Sequence, residues 1–481
     1  MQLSDLLIAF GLGLLWLALT ARLQRTAFFP TRFTSLRTWV LFILSGLAVY
    51  WLQPAMPIRS LDFWLPTATL SLAALGWALT AAPQERSLRK VLPAGLALLG
   101  LILLVGLTRH LGPAGWLTAS RPPQTLPVVL ALLALAGGGL ILLRWPRKAL
   151  LWAGIFLLIG LLIVLKLPAL TALAASGLRA LAGQAVGSAA ATDLRWLGFS
   201  YIAFRLIHTL RDRQSGRAPA ASLPEYMAYV VFFPALTAGP IDRLDRFLKD
   251  LRTAPHAPAA DLQAALPRLA LGLLKKFVLA DLLALIALSP ANAGLIRTPG
   301  WMWLALTAFS LQIYLDFSGY TDLAIGIGRL FGIHLPENFN QPYLKPNLTQ
   351  FWNNWHMTLT QWFRAYFFNP FTRSLRQAKR SLPAWGMILI TQLATFILIG
   401  LWHGISWNFL IWGLWHGLGL FVQNRWTEWI RPRLGTAQKH RPIRWSLTGI
   451  STLFTFAYVS LGWVWFALPV EKAILVFGKL F

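Results

Sequence analysis

The chain has 481 residues, 57% of them hydrophobic and only 12% charged, whereas a soluble globular chain is about 25% charged. Lys and Arg number 43 against 16 Asp and Glu, a net charge of +27, but the basic residues lie between long apolar runs. Retention on the cytoplasmic side of membrane spans explains that excess without a nucleic-acid partner, and the absence of cysteine excludes disulfides, thiolate metal sites and a cysteine nucleophile.

The first apolar stretch, Leu3 to Ala21, contains Asp5 and is trailed by Arg22 and Arg25. A cleavable signal peptide has the reverse order of charge, so a retained span with its N-terminus outside is expected. Taking about 20 apolar residues per crossing, further spans fall near 38–55, 62–82, 91–108, 125–143, 149–170 and 194–210. The clusters Arg22/Arg25/Arg32/Arg37, Arg86/Arg89/Lys90, Arg144/Arg147/Lys148 and Arg211/Arg213/Arg217 then occupy every second connection, the cytoplasmic ones.

In the second half, spans are expected near 269–290, 301–331, 384–402, 405–422 and 446–467, with Arg373/Arg376/Lys379/Arg380 and Arg431/Arg433/Lys439/Arg441/Arg444 inside. The fold class is an all-α, polytopic membrane bundle of about 11 to 13 spans. Residues 223–240 are broken by prolines, and 347–370 mix aromatics with Asn353, Asn354, His356 and Arg364. Irregular or polar backbone survives at membrane depth only when buried in protein or lining a cavity, so both stretches are expected to be re-entrant. The polar connection 211–223 marks the one candidate boundary along the chain.

Polar residues inside apolar runs are the candidates for chemistry. Asp316 and Asp322 lie in an expected span, where each costs about 2.5 to 3.5 kcal/mol at mid-membrane. Each therefore needs a partner or a cavity, either as part of a helix-locking network or in contact with substrate. Helical spacing sets Asp316 beside Tyr320 and Ser318 beside Asp322. His403 and His416 each lie in a GLWHG sequence; on one continuous helix, thirteen residues would leave their rings about 220° and 20 Å apart. His356 lies in FWNNWHMTLTQWFR. Neutral imidazole suits proton removal from a hydroxyl near neutral pH, so a general base is sought among these three, with packing as the alternative for each. Serine-hydrolase, P-loop and zincin motifs are absent from the sequence. A metal on His403 and His416 would need ligands from elsewhere, and none is expected.

The stretches FSYIAFRLIHTLRD (199–212), FFPALTAGPIDR (232–243), LLKKFVLADLL (273–283), YLDFSGYTDLAIGIGRLFGI (314–333), NFNQPY (338–343), FWNNWHMTLTQWFR (351–364), GLWHGISWNFLIWGLWHG (400–417) and GWVWFA (462–467) resemble, in letters, order and spacing, the membrane-bound O-acyltransferase family. The likeness is to the bacterial branch of alginate O-acetylation and D-alanyl transfer membrane proteins. It implies variable N-terminal helices over 1–190, a catalytic core over 191–470 surrounding a central tunnel, and a short tail over 471–481. It also implies that His403 is the base activating the acceptor hydroxyl and that His356 is the second motif position, which holds His or Asn. The same motifs supply Asp316, Tyr320, Asp322, Asn338, Trp352, Trp355, Arg364 and Trp402 as substrate-binding candidates.

The implied activity is transfer of an acyl group, acetyl in the first reading, from a cytoplasmic-side donor to a hydroxyl of an envelope polysaccharide or a periplasmic relay protein. D-alanyl transfer to a teichoic-type polymer and a non-enzymatic acyl or glycan transporter are the alternatives. No resident cofactor is expected; acetyl-CoA or an acyl-carrier thioester is the co-substrate, membrane lipid the surroundings, and the bacterial inner membrane the location. Reporter fusions after Arg89, Arg147 and Arg433 are predicted to read cytoplasmic, and one near residue 115 external; an external reading at Arg147 with an internal one at 115 would invert the topology.

Overall fold

A computed structural model describes residues 3–23, 29–111, 117–144, 148–253, 258–378, 382–430, 433 and 441–480. All regular structure among them is helical. In chain order the helices are α1 (Leu3–Leu23), α2 (Phe29–Trp51), α3 (Leu61–Thr80), α4 (Leu88–Leu107), α5 (Thr125–Arg144), α6 (Lys148–Lys166), α7 (Pro168–Leu181), α8 (Phe199–Gln214), α9 (Leu223–Val230), α10 (Leu244–Arg252), α11 (Pro258–Leu273) and α12 (Asp281–Ala284). They are followed by α13 (Pro299–Leu330), α14 (Leu348–Asn354), α15 (Met357–Phe363), α16 (Asn369–Arg376), α17 (Ala384–His403), α18 (Trp407–Ile430), α19 (Arg441–Ala467) and α20 (Val470–Leu480). Two compact units result, one of residues 1–269 with 323–336, the other of 270–322 with 337–481.

Among the described residues, eight helices are long and apolar enough to cross a membrane: α1 to α6, α17 and α19. Large apolar side chains such as Leu96, Leu104, Leu133 and Phe156 stand outward and exposed, as lipid-facing residues do. The remaining expected spans depart from simple crossings for local reasons. Helix α8 has only 16 residues and is buried along nearly its whole length. Helices α13 and α18 are long, but their Asp, Asn, Gln and Tyr or Trp content lowers their hydropathy. The expected span 269–290 is broken, since α11 passes into a π-helical turn over Leu274–Ala280 before α12.

In the first unit, the stretch 223–240 is broken as its prolines predict: α9 is eight residues long, and the chain then runs buried through Phe233–Ala235. Its interrupted backbone is satisfied by Arg205, 1% exposed. The guanidinium donates to the carbonyls of Tyr229 (3.3 Å), Val230 (2.9 Å) and Ala235 (2.9 Å), so the groups that a broken helix would orphan are paired inside the protein. Arg37 does the same at the end of α10, donating to the carbonyls of Asp250 (2.6 Å), Leu251 (2.5 Å) and Thr253 (2.8 Å). Outside the spans, hydrogen bonds to Asp250 and then Asp261 push the His334 imidazole up to about 9.

Three of the four basic clusters of the first half meet at one place in this unit: Arg86, Lys148, Arg211 and Arg213 line a single cavity, as alternating connections require. Arg25, Arg147, Lys379, Arg380, Arg431, Lys439 and the connection near residue 115 lie outside the described residues, as do the side chains of Arg32, Arg441 and Arg444.

In the second unit, α17 and α18 form a hairpin so close that a Cβ at Gly413 would stand 2.5 Å from the Phe396 carbonyl oxygen. The residues at the end of the chain form α20, whose Ala473, Val476 and Leu480 pack with Met302, Leu306 and Val464. The π-helical turn aims two lysines at α13: Lys275 Nζ is 2.7 Å from Asp322 and Lys276 Nζ 2.5 Å from Asp316. Gly319 admits the turn, because a Cβ there would lie 2.9 Å from the Lys276 nitrogen. The two acids thus have the partners that their place demands, but in different settings: Asp322 is 8% exposed and Asp316 50%. Removing one member of a buried pair costs about 3 to 5 kcal/mol, and of an exposed pair about 1 kcal/mol or less. Asp322→Asn is therefore predicted to lower folded yield in detergent much more than Asp316→Asn, each lowering yield more than activity per folded molecule. Normal yield with abolished activity would move either acid from scaffold to site.

Candidate active site

The irregular stretch between α13 and α16, with the α17–α18 hairpin and α19, brings the motif residues together within the second unit. Asn338 is fully buried, and its Oδ1 accepts from three donors. The Thr358 backbone N–H lies at 3.2 Å, the Thr358 hydroxyl at 2.8 Å and His356 Nδ1 at 3.0 Å. A backbone N–H can only donate, so the shared atom is the amide oxygen and a neutral His356 must carry its proton on Nδ1. The lone pair then resides on Nε2, which is buried without a hydrogen-bond partner among the described residues.

The backbone around Asn338 explains a strained position. His356 has φ 43° and ψ 52°, left-handed backbone that a non-glycine residue adopts only when its surroundings impose it. The strand-like segment beside it does so: Met357 N–H donates to the Asn338 carbonyl and Asn340 N–H to the Asn354 carbonyl, at 2.9 and 3.1 Å. The ring is thereby turned edge-on to Phe317, with centroids 4.7 Å apart.

Trp402 lies near both motif histidines, its ring 6.4 Å from His356 and 4.6 Å from His403. His403 is the last residue of α17, where Gly404 ends the helix in extended backbone. It is partly exposed, whereas His356 and His416 are buried. Phe466 at 4.9 Å and Trp412 at 5.6 Å close around its ring, and Trp352, Trp355 and Trp463 extend the aromatic wall. The negative end of the helix dipole is well placed to favour a ring that has taken up a proton.

His416 sits deeper. The single-helix offset does not apply, because the hairpin folds α18 back on α17; Trp412 touches both rings, at 5.6 Å for His403 and 5.0 Å for His416. His416 is 0% exposed, boxed by Trp352, Trp412, Tyr458 and Trp463. A Cβ at Gly462 would lie 2.6 Å from its Nε2, so the ring fills its space as a packing group does.

Of the sequence-predicted residues, His356, His403, Asn338, Trp352, Trp355 and Trp402 converge. Asp316 and Asp322 engage Lys276 and Lys275, and Tyr320 is buried on the same helix. Arg364 is exposed and donates to Asn353 at 2.8 Å, away from the imidazoles. Thr358, Trp412 and Phe466 are site components that the sequence reading passed over; Thr358, two residues beyond His356, carried the one local signal. Among the described residues no three His, Asp or Glu side chains gather as metal ligands.

Comparison with known proteins bears on this constellation. The chain is similar to a teichoic acid D-alanyltransferase of Streptococcus thermophilus, 31% identical over 48% of this chain and 58% of that protein. It is similar to a probable alginate O-acetylase of Azotobacter vinelandii, 35% identical over 56% of this chain and 50% of that protein. It is also similar to a peptidoglycan O-acetyltransferase of Helicobacter pylori, 33% identical over 56% of this chain and 50% of that protein. In these comparisons the chain spans about half the length of the relatives that it matches. Residues 149–463, which hold every histidine and tryptophan of the site, match the family described as MBOAT, and the chain therefore belongs to the membrane-bound O-acyltransferase family.

Proposed function

We propose that the chain transfers an acyl group from a thioester donor, acetyl-CoA or an acyl-carrier protein on the cytoplasmic side, to a hydroxyl of an envelope polysaccharide or of a periplasmic relay protein. The bacterial inner membrane is its location in this reading, and a tunnel through the core lets donor and acceptor meet. One observation carries the reading: two imidazoles lie near Trp402, one partly exposed at a helix end and the other with its protonation fixed by Asn338.

The chemistry that these residues supply is proton transfer and positioning. His403 takes the proton from the acceptor hydroxyl as its oxygen attacks the thioester carbonyl. The tetrahedral intermediate then expels the thiolate, which receives that proton from the imidazolium, so the ring ends neutral. His356 Nε2 is an acceptor that holds the acceptor hydroxyl or its water, and Asn338 Nδ2, buried without a hydrogen-bond partner among the described residues, is a donor available to developing negative charge. The aromatic lining excludes water that would hydrolyse the thioester.

Cargo is not decided by this machinery. Likeness to acetylases of alginate and peptidoglycan supports acetyl transfer, and likeness to teichoic acid D-alanyltransferases supports D-alanyl transfer as the second reading. His403→Ala is predicted to fold and insert but to lose transfer by a factor of about 10² to 10⁴. His356→Asn keeps a donor for Asn338 Oδ1 and is predicted to retain more activity than His356→Ala. His416→Ala is predicted to reduce folded yield, with a milder effect per folded molecule. The measurement is label transfer in membranes from radiolabelled acetyl-CoA and from a D-alanyl carrier, normalised to folded protein. Substantial transfer by His403→Ala would sink the general-base assignment, and a loss confined to His416→Ala would move it to the second GLWHG.

A further inference from the structure

The first unit holds a cavity of about 640 Å³ that the proposed chemistry does not use. Four cations line it, Arg86 from the α3–α4 connection, Lys148 from the first turn of α6, and Arg211 and Arg213 from the last turn of α8, and no acidic residue does. The neighbouring acids are committed elsewhere: Glu85 pairs with Lys90 at 2.9 Å and Asp212 with Arg217 at 3.2 Å. Neither Lys148 nor Arg213 has an ion-pair partner among the described residues. Gathering like charges around one cavity without a counter-ion is unfavourable.

The cavity is also built to hold its groups still. Arg211 donates to Gln214 Oε1 at 2.6 Å and lies over the Trp152 ring, 5.0 Å from its centroid. Arg86 Nε donates to the Ala81 carbonyl at 3.1 Å. Gln214 Nε2, turned the other way, is a buried donor with no hydrogen-bond partner among the described residues. Lys148 stands at the N-terminus of α6, whose unpaired backbone N–H groups add to the positive field. The wall is apolar: Trp152 stacks on Phe156, with centroids 5.9 Å apart. Beyond them Leu157, Ile159 and Ile163 continue along α6 as exposed apolar surface, 39 to 54% exposed.

We propose that this cavity binds the phosphate headgroup of an anionic membrane lipid, with the lipid's acyl chains lying along the outward face of α6. A basic mouth with buried donors matches phosphate oxygens, and an apolar face continuous with it matches chains, which a soluble phosphate would leave uncovered. The inference is independent of the acyl-transfer reading, because its residues belong to the first unit and the histidine site to the second.

The test is native mass spectrometry of the detergent-solubilised full chain with phosphatidylglycerol, phosphatidylcholine or inorganic phosphate. Wild type, Arg213→Gln, Lys148→Gln and the double variant are compared, and size exclusion reports folding. Phosphatidylglycerol is expected to be retained over phosphatidylcholine, with about fivefold weaker retention for each basic residue replaced and no change for phosphatidylcholine. Because neither side chain has an ion-pair partner among the described residues, the variants are expected to elute as wild type does. Should either fail to fold, loss of the wild type's phosphatidylglycerol preference on raising salt from 50 to 500 mM serves as the second measurement. Equal retention of both lipids, retention unchanged in the variants, or competition by millimolar inorganic phosphate with no lipid preference would each overturn the lipid assignment; the last would assign the cavity to a soluble phosphate.

Discussion

The amide oxygen of Asn338 is the acceptor on which the geometry of the site depends. Three donors of two residues, His356 and Thr358, converge on it and decide the tautomer of the imidazole, while backbone bonds from Met357 to Asn338 and from Asn340 to Asn354 impose the left-handed turn that carries it. Without that acceptor, all three bonds would be lost at once, and a buried polar group that loses its bond costs about 1 to 3 kcal/mol. Fixing the proton on Nδ1 leaves the Nε2 lone pair as the one acceptor of the ring, without a hydrogen-bond partner among the described residues.

The same constraint recurs wherever the helices break. Arg205 collects the carbonyls around the end of α9, and Arg37 those at the end of α10. At membrane depth there is no water to satisfy such groups, so an interruption there needs a dedicated internal partner. Long side chains with several donors serve carbonyl ends, and a short amide with one good acceptor serves a helix start. The π-helical turn before α12 is a further interruption, and it delivers Lys275 and Lys276 to the acids of α13, which hydrophobic length alone would have left inside an uninterrupted span.

Much of this was legible in the sequence, for physical reasons. Runs such as 125–143 and 149–170 have only one stable form in lipid, and α5 and α6 fall where those runs do. Prolines around 223–240 announced a break, and the cost of Asp316 and Asp322 announced partners without naming them. What stayed hidden depends on pairing at a distance. Asn338 and His356 are 18 residues apart, and no period links them. The fold of α18 against α17 puts His416 on the far side of Trp412, which single-helix angles cannot describe. Arg364 shares a motif with His356, yet the π-helical turn over Arg364–Phe368 leaves its side chain outside; membership in a motif does not imply orientation.

The aromatic enclosure links position to chemistry. Trp402, Trp412 and Phe466 leave the His403 ring with little freedom, and a base that is already oriented loses no entropy at the moment of attack. A cryo-electron microscopy structure of the chain with a thioether analogue of the acyl donor would test this account most directly. The predicted result places the acyl carbon beside His403 and His356 Nε2, with Asn338 Oδ1 still holding Nδ1; an analogue bound away from both imidazoles, or His356 turned so that Nε2 faces Asn338, would contradict it.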